Sequence, residues 1–349
     1  MGSQAPHHQL HFVLFPFMAQ GHMIPMMDIA KILVQHNVIV TVVTTPKNAT
    51  RFTPIFARYN ESGFQIRLVE LQFQFEEAGL QDGCENLDML YSLSTSLNLF
   101  IAANLLRKQV EKLFEELAPP PSCIISDMSL PYTIHIANKF NIPRISFVGM
   151  SCFTLLCFSY LDMHNVKERI SNESEYFVVP GIPDKIEITI AQTEGLPKDE
   201  SWKEFCAEMD AADKDSYGMI MNSFEELEPA YARDFKKLKK DKLWCIGPLS
   251  LSNNDYLEKA QRGVESPVKW GKEEEIGVLV KKEDVTRAID ELMDETNEGE
   301  ERRKRVNELA KMATNAVQKG GSSHSDATLF IQDIMQKTKR DMIPHSPKE

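Results

Sequence analysis

The chain has 349 residues, 42% of them hydrophobic, and a formal net charge of −12. The apolar content is that of a globular protein and excludes wholesale disorder. The acidic balance argues against a nucleic-acid-binding surface, where Lys and Arg would dominate.

The six cysteines form no CxxC pair and have no histidine cluster beside them. A zinc site is therefore not expected, and a reduced, cytoplasmic compartment is the simplest interpretation. The apolar stretch near the N-terminus is interrupted by Pro16, so it is predicted to be neither a signal peptide nor a membrane-spanning helix.

The first elements predict a strand–helix–strand unit. Residues 10–15 read as a buried strand, 18–22 as a loop, 24–35 as an amphipathic helix and 38–46 as a β-branched strand. Such a unit implies a parallel sheet with right-handed crossovers.

The pattern then repeats along the chain. The predicted segments are strands at 65–71, 123–126, 143–148, 218–222 and 243–246, with helices at 87–117 and 131–140. Ser223 and Glu226 have the spacing of a capping box at the start of a further helix. Residues 9–250 are therefore predicted to form a doubly wound α/β domain.

The sequence pattern changes after about residue 255, where the alternation of predicted strands and helices stops. Helices are predicted at 284–293, 300–319 and 325–336. Apolar stripes are expected to pack residues 300–336 partly against the preceding domain. Those stripes contain Leu309, Met312, Ala316, Phe330, Ile331 and Ile334.

Two polar side chains are predicted at the carboxyl ends of strands, where open α/β sheets bind ligands. His22 ends the loop after the first strand, and Asp127 directly follows the strand at 123–126. An imidazole oriented by a carboxylate is a suitable general base for a hydroxyl group. The alternative is that His22 is a surface or capping residue and that Asp127 caps the next helix.

Several nucleotide and hydrolase motifs are missing. The first loop, MAQGHMIP, has one glycine where a dinucleotide-binding fold has G-x-G-x-x-G, so a nicotinamide or flavin oxidoreductase is set aside. Neither a P-loop nor a G-x-S-x-G elbow occurs. Apolar residues near the strand ends, among them Phe17 and Met150, are either core or the lining of a pocket for a lipophilic ligand.

Four segments together resemble the plant secondary-product UDP-glycosyltransferases. They are PFMAQGHMIPMMDIAKIL, SDMSLPYTIHIANKFNIPRISF, MNSFEELEPAYA and LWCIGPLSL, and the resemblance covers residues 9–262. It implies two Rossmann-like domains facing across a cleft, the first for an acceptor and the second for a UDP-sugar. By resemblance, His22 matches the catalytic base and Asp127 its partner. Phe17, Gln20, Gly21 and Met150 are the candidate substrate-binding residues.

The sequence departs from this family in one large respect. The signature box, which runs from Trp-Ala-Pro-Gln through His-Cys-Gly-Trp-Asn-Ser to Asp-Gln, is absent, although residues from Val264 onward resemble the family's C-terminal end. We therefore expect a deletion at about 263–264. The expected organisation is an acceptor domain at 1–250, a junction at 251–270 and a mainly helical remnant of the donor domain at 271–349.

The resemblance implies an inverting transfer of a hexose, with glucose as the default, to a small lipophilic hydroxyl compound. UDP-sugar is a co-substrate, and neither a cofactor nor a metal is implied. The competing hypothesis is a non-catalytic module that binds a ligand or a partner chain. The missing box is the feature that separates the two hypotheses, and we expect the activity of this chain to be impaired.

Overall fold

The computed structural model describes residues 9–90, 92–170, 172, 174–193, 199–251, 281–294 and 296–341. The predicted deletion point at 263–264, and all of the predicted junction except residue 251, lie outside these residues.

Strands and helices alternate through the first two thirds of the described chain, as predicted. The strands are β1 (His11–Phe15), β2 (Ile39–Thr44), β3 (Ile66–Glu70), β4 (Cys123–Asp127), β5 (Arg144–Val148), β6 (Tyr176–Val178), β7 (Glu187–Thr189), β8 (Gly218–Met221) and β9 (Leu243–Cys245). The helices are α1 (Gln20–Gln35), α2 (Pro46–Glu61), α3 (Ser96–Leu105), α4 (Arg107–Glu116), α5 (Thr133–Phe140), α6 (Cys152–Met163), α7 (Val166–Arg169), α8 (Glu200–Asp215), α9 (Pro229–Leu238), α10 (Lys282–Leu292), α11 (Asn297–Val317) and α12 (Ser322–Asp341).

Seven of the described strands form one parallel sheet in the order β3-β2-β1-β4-β5-β8-β9, and β6 and β7 form a separate antiparallel pair. The direction of winding reverses between β1 and β4, where Phe15 pairs with Ser126. This doubly wound α/β fold matches the prediction. Its topological switch point is where such sheets bind ligands.

Both faces of the sheet are covered by apolar side chains. Helices α1, α2 and α12 pack on one face, with Phe12, Leu14 and Ile125 among the strand residues there. Helices α3, α4 and α5 cover the other face over β1 and β4, and α6 and α9 cover it over β8 and β9. Burial on both faces explains why the strands read as continuous apolar runs rather than as alternating ones.

Three local predictions are wrong. Helix α1 begins at Gln20 rather than near residue 24, so His22 lies in its first turn and not in a loop. The stretch 87–117 is broken into 3₁₀ turns followed by α3 and α4. The predicted capping box does not form, because α9 begins at Pro229, a favoured first helical residue. The Ser223 hydroxyl donates instead to the Glu228 carboxylate, and Glu226 accepts a hydrogen bond from Ser322.

The last three helices differ in packing. Helix α12 lies on the sheet, where the Phe330 ring contacts Phe12 and Trp244 at centroid distances of 5.7 and 5.1 Å. The predicted packing of Phe330, Ile331 and Ile334 is confirmed. For α11 the prediction holds only at the C-terminal end, where Ala316 is buried and Val317 lines a cavity together with Ile246 and Leu251. It is wrong for Leu309 and Met312, which are about two-fifths exposed.

Candidate active site

His22 is positioned by the turn between β1 and α1. Ala19 is the extended residue before the helix, and its carbonyl oxygen accepts hydrogen bonds from the backbone N–H groups of His22 and Met23 at 3.0 and 2.8 Å. The first helical turn therefore holds the imidazole above the carboxyl end of β1, next to β4.

Asp127 is the last residue of β4 and its side chain is 1% exposed. One carboxylate oxygen, Oδ1, accepts a hydrogen bond from the backbone N–H of Ser129 at 2.9 Å. The Asp127 carbonyl oxygen accepts from Ser126 Oγ at 3.1 Å and from Arg144 Nη2 at 3.3 Å. Side chain and backbone are thus both fixed, which leaves the second carboxylate oxygen, Oδ2, facing His22.

Arg144 supports this arrangement from inside the protein. It is 2% exposed, and it donates from Nε to Thr133 Oγ1 at 2.8 Å and from Nη1 to Ser216 Oγ at 2.6 Å. Burial lowers the pKa of Arg144 to about 10, although the negative charges of Asp213 and Asp127 act to raise it. Arg144 therefore remains a cation at neutral pH, directly behind Asp127.

The predicted approach of His22 and Asp127 is present. His22 Nδ1 lies 2.7 Å from Asp127 Oδ2, and the His22 side chain is 40% exposed. Because a carboxylate only accepts hydrogen bonds, Nδ1 carries a proton, and in the neutral imidazole the other ring nitrogen, Nε2, keeps its lone pair. Nε2 is thus the ring nitrogen that can take a proton.

The pKa of His22 lies above its usual 6.5. Burial alone lowers this pKa, but the negative charge of Asp127 and the hydrogen bond to it outweigh burial. The carboxylate therefore stabilises the imidazolium form, as a base that accepts a proton requires.

An aromatic cluster flanks the histidine. The edge of Phe17 meets the His22 ring at a centroid distance of 5.4 Å, and Phe17 stacks on Phe100 at 4.3 Å. Phe100 in turn contacts Trp202 and Phe205 of α8 at 5.4 and 5.1 Å. Phe17 itself is 1% exposed, so it packs beneath the surface beside His22 rather than forming that surface. Sequence reasoning missed the other three rings, because α3 and α8 are distant in sequence.

Gln20 and Gly21 also lie beside His22, as their sequence positions require. The Gln20 amide donates to Asp88 Oδ2 at 3.0 Å, and Arg51 donates to both oxygens of Asp88 at 2.7 and 3.0 Å. Gly21 has no neighbouring atom within 4 Å of the place where a Cβ would stand. Gln20 thus ties α1 to the segment that contains Asp88, and Gly21 leaves open space next to the base.

Met150 lies in a different part of the site region. It lines a cavity of about 590 Å³ together with Met128, Leu155 and Met219. His22 and Asp127 are not among the residues that line this cavity. Geometry therefore groups Phe17, Gln20 and Gly21 with the histidine and separates Met150 from them.

Within the described residues, no group of three His, Cys, Asp or Glu side chains is arranged to hold a metal ion. In the same part of the chain, no helix has the length and apolar character needed to cross a membrane. All six cysteines are free thiols, with the sulfurs of Cys152 and Cys245 3.8 Å apart.

Two known plant proteins are similar to this chain over almost its whole length. UDP-glycosyltransferase 73C6 of Arabidopsis thaliana is 36% identical over 481 aligned positions, which cover 94% of this chain and 97% of the relative. UDP-glycosyltransferase 73C25 of Barbarea vulgaris is 35% identical with the same coverage. No family model matches the chain.

Solved structures agree with the fold. UGT73P12 of Glycyrrhiza uralensis, complexed with glycyrrhetinic acid 3-O-monoglucuronide, superimposes with a TM-score of 0.82 over 95% of this chain and 97% of that one, at 22% identity. Medicago truncatula UGT71G1, complexed with UDP-glucose, gives a TM-score of 0.68 at 15% identity over 95% of this chain and 99% of that one. At such low identity the two structures show the fold alone.

The alignment to the relatives also exposes an internal gap. It runs over 481 positions while the chain has 349 residues, so at least 132 aligned positions of the Arabidopsis relative have no counterpart here. Because both chains are covered almost end to end at more than 30% identity, the chain belongs to the plant UDP-glycosyltransferase family.

Proposed function

We propose that this chain carries the acceptor-activating half of an inverting, UDP-sugar-dependent hexosyl transfer. In this proposal, His22 Nε2 takes the proton of an acceptor hydroxyl, and the oxygen attacks the anomeric carbon of the sugar. The bond to UDP breaks, UDP leaves with the electron pair, and the product is a β-glycoside. The observation that carries the proposal is the 2.7 Å contact between His22 Nδ1 and Asp127 Oδ2.

The proposed acceptor is a small lipophilic hydroxyl compound, and the proposed sugar is glucose. The aromatic cluster of Phe17, Phe100, Trp202 and Phe205 supports an apolar acceptor, and the open space at Gly21 lets the acceptor reach the imidazole. The Medicago structure contains UDP-glucose, and a further plant structure of the same fold, UGT89C1 of Arabidopsis thaliana, contains quercetin. The roles of Gln20 and Met150 as substrate contacts belong to this proposal.

The donor side is proposed to be incomplete. The proposal retains an acceptor domain at residues 1–250, a deletion junction at 251–270 and a donor-domain remnant at 271–349. We place the missing signature box among the aligned positions that have no counterpart here. Oriented donors that stabilise a leaving group are worth about 10²–10³ in rate for a single hydrogen bond, so the loss of a whole set removes measurable turnover. A cytoplasmic location belongs to the same proposal, with the free thiols as its support.

A graft tests the proposal. The positions of the Arabidopsis 73C6 relative that face the gap are inserted where the alignment puts them, and glucosyl transfer from UDP-glucose to quercetin is measured. We expect transfer by the grafted chain and none by the unmodified chain. His22→Ala in the graft should lower the rate by about 10²–10⁴, the usual contribution of a general base. His164→Ala, at an exposed histidine after α6, is the matched control and should leave the rate unchanged.

Two results contradict the proposal. One is a folded, active graft whose rate is unaffected by His22→Ala, because the base would then lie elsewhere. The other is a folded graft that binds UDP-glucose and quercetin but transfers nothing. That result would favour the second candidate function, a ligand-binding module without catalysis, for which the missing box is the supporting observation.

A further inference from the structure

Residues 85–88 lie against the turn that carries His22, and we call them the clamp segment. The backbone N–H of Leu87 donates a hydrogen bond to the carbonyl oxygen of Met18 at 2.8 Å. Met18 is buried and precedes His22 by four residues. Because a buried hydrogen bond is costly to leave unmade, this contact fixes the start of the turn.

Asp88 holds the same turn at a second point, through its side chain. Gln20, the first residue of α1, donates from its amide to Asp88 Oδ2 at 3.0 Å. Arg51 of α2 donates to both oxygens of this carboxylate, at 2.7 and 3.0 Å. A bidentate, charge-assisted pair of this kind fixes the orientation of a carboxylate. Asp88 is therefore a rigid point to which α1 is tied, two residues before His22.

Asn86 supplies the third contact and anchors the clamp segment to α2. Its side chain is fully buried, and its amide donates to the sulfur of Met23, the residue after His22, at 3.4 Å. The same amide donates to Asn48 Oδ1 at 2.7 Å, and the Asn48 amide donates to the carbonyl oxygen of Glu85 at 2.7 Å. Because Asn48 is also fully buried, a shift of the clamp segment breaks several buried hydrogen bonds together.

The two members of the dyad are thus fixed by different parts of the molecule. Asp127 is held by the backbone N–H of Ser129 and by Arg144. His22 lies in the first turn of a helix, and its side chain is 40% exposed, so its position depends on what holds that turn. A displacement of about 1 Å at a reacting group can cost about 10² in rate. A base in this position therefore requires a second support besides Asp127.

We propose that Asp88 is a positioning residue for His22, acting through Gln20 to hold the first turn of α1 where the imidazole meets Asp127. The inference rests on the proposed role of His22 as the base. It is compatible with the proposed substrate contact of Gln20, because the bond to Asp88 uses the amide nitrogen and not the carbonyl oxygen of that side chain.

The test is a proton–nitrogen NMR titration of the His22 ring in the full chain, with no substrate present. Gln20→Ala and Asp88→Ala should each lower the pKa of His22 toward its usual 6.5, because a looser contact with Asp127 stabilises the imidazolium less. The double variant should lower it no further than the larger single change, because both substitutions remove the same interaction. A substrate contact alone does not predict any change in the absence of substrate.

Asn98→Ala is the matched control. The Asn98 amide also crosses to another segment, where it donates to the carbonyl oxygen of Gly79 at 2.9 Å, but it does not contact the clamp segment. Its loss should leave the pKa of His22 unchanged. In the grafted enzyme, Asp88→Ala should lower kcat by up to about 10² with little change in the KM for the acceptor, whereas Asn98→Ala should change neither.

Circular dichroism and a thermal melt of each variant show whether it is folded. Folded Gln20→Ala and Asp88→Ala variants with the wild-type His22 pKa overturn the inference, because the clamp segment then supports only the fold. A double variant whose pKa falls by the sum of the two single changes also overturns it, because Asp88 then acts through its charge and not through Gln20. A graft that transfers no sugar contradicts the proposed function instead, and it leaves the titration as an independent test.

Discussion

The sheet region, residues 9–251, and the helical region, residues 281–341, place their apolar residues in different ways. In the sheet region the strands are buried on both faces, and a buried cation, Arg144, is held by hydroxyl groups from two other segments. In the helical region only α12 reaches that core, while α10 and most of α11 expose their apolar faces. The position of a helix in the sequence therefore does not decide which region of the fold it packs in. Contact with the sheet decides it, and by that measure α12 is part of the sheet region.

The largest effect expected from this difference concerns Phe330. Phe330→Ala should lower the free energy of unfolding by about 3–5 kcal/mol, because a buried ring against Phe12 and Trp244 leaves a cavity. Ile289→Ala, on the exposed face of α10, should change it by less than about 0.5 kcal/mol at concentrations where the chain is monomeric. Denaturant titrations measure both variants. Equal losses at the two positions would show that α10 is as firmly packed as α12.

A second, smaller effect is expected at the ion pair that ties α1 to the segment around residue 88. Burial raises the pKa of Asp88, but hydrogen bonds from Arg51 and Gln20, together with the charge of Arg51, bring it below its usual 3.8. The resulting stabilisation is fully present above the unfolded-state pKa and is lost as the pH falls through the lower folded-state pKa. Asp88→Asn should therefore cost about 1.5–3 kcal/mol at neutral pH and much less in acid.

The control for that experiment is Asp82→Asn, at an exposed aspartate of the same segment. It should change the unfolding free energy little at either pH. A loss at Asp88 that is the same at neutral and acidic pH would contradict the electrostatic explanation and would point to packing instead.

The dyad itself gives a third expectation. In Asp127→Asn the His22 ring stays buried to the same degree but loses the negative charge, so its pKa should fall below that of the wild-type protein. A proton–nitrogen NMR titration of the His22 ring measures this directly. Because the wild-type pKa is raised, the dyad stabilises the fold fully below the unfolded-state value of 6.5 and loses that contribution as the pH rises through the folded-state value. An unchanged His22 pKa in Asp127→Asn would show that the contact is not an ionic one.

The smallest effect is expected at Gly21. Gly21→Ala should stabilise the chain by about 0.5–1 kcal/mol, because alanine is the better helix former and the space is free. In the grafted enzyme the same methyl group should raise the KM for the acceptor, because it fills space beside the base. A gain in stability with no change in KM would remove Gly21 from the substrate site.

Much of the fold could be predicted from the sequence, because parallel strands that are buried on both faces occur in the sequence as continuous apolar runs. The pairing of His22 with Asp127 was accessible because the ends of adjacent parallel strands share one edge. The support by Arg144 was not accessible, because a charged residue in an apolar strand becomes acceptable only through Thr133 and Ser216, which lie in other segments. Leu309 and Met312 show the opposite failure, since an apolar stripe predicts a buried face but does not say what covers it.

The most direct test of the central claim, that the acceptor side is complete and the donor side is not, is calorimetric titration of the purified chain with UDP-glucose. We expect no saturable heat, because the groups that hold the nucleotide are proposed to lie among the absent positions. Saturable binding of UDP-glucose would contradict it, and would mean that the helical region or a second copy of the chain rebuilds a donor site.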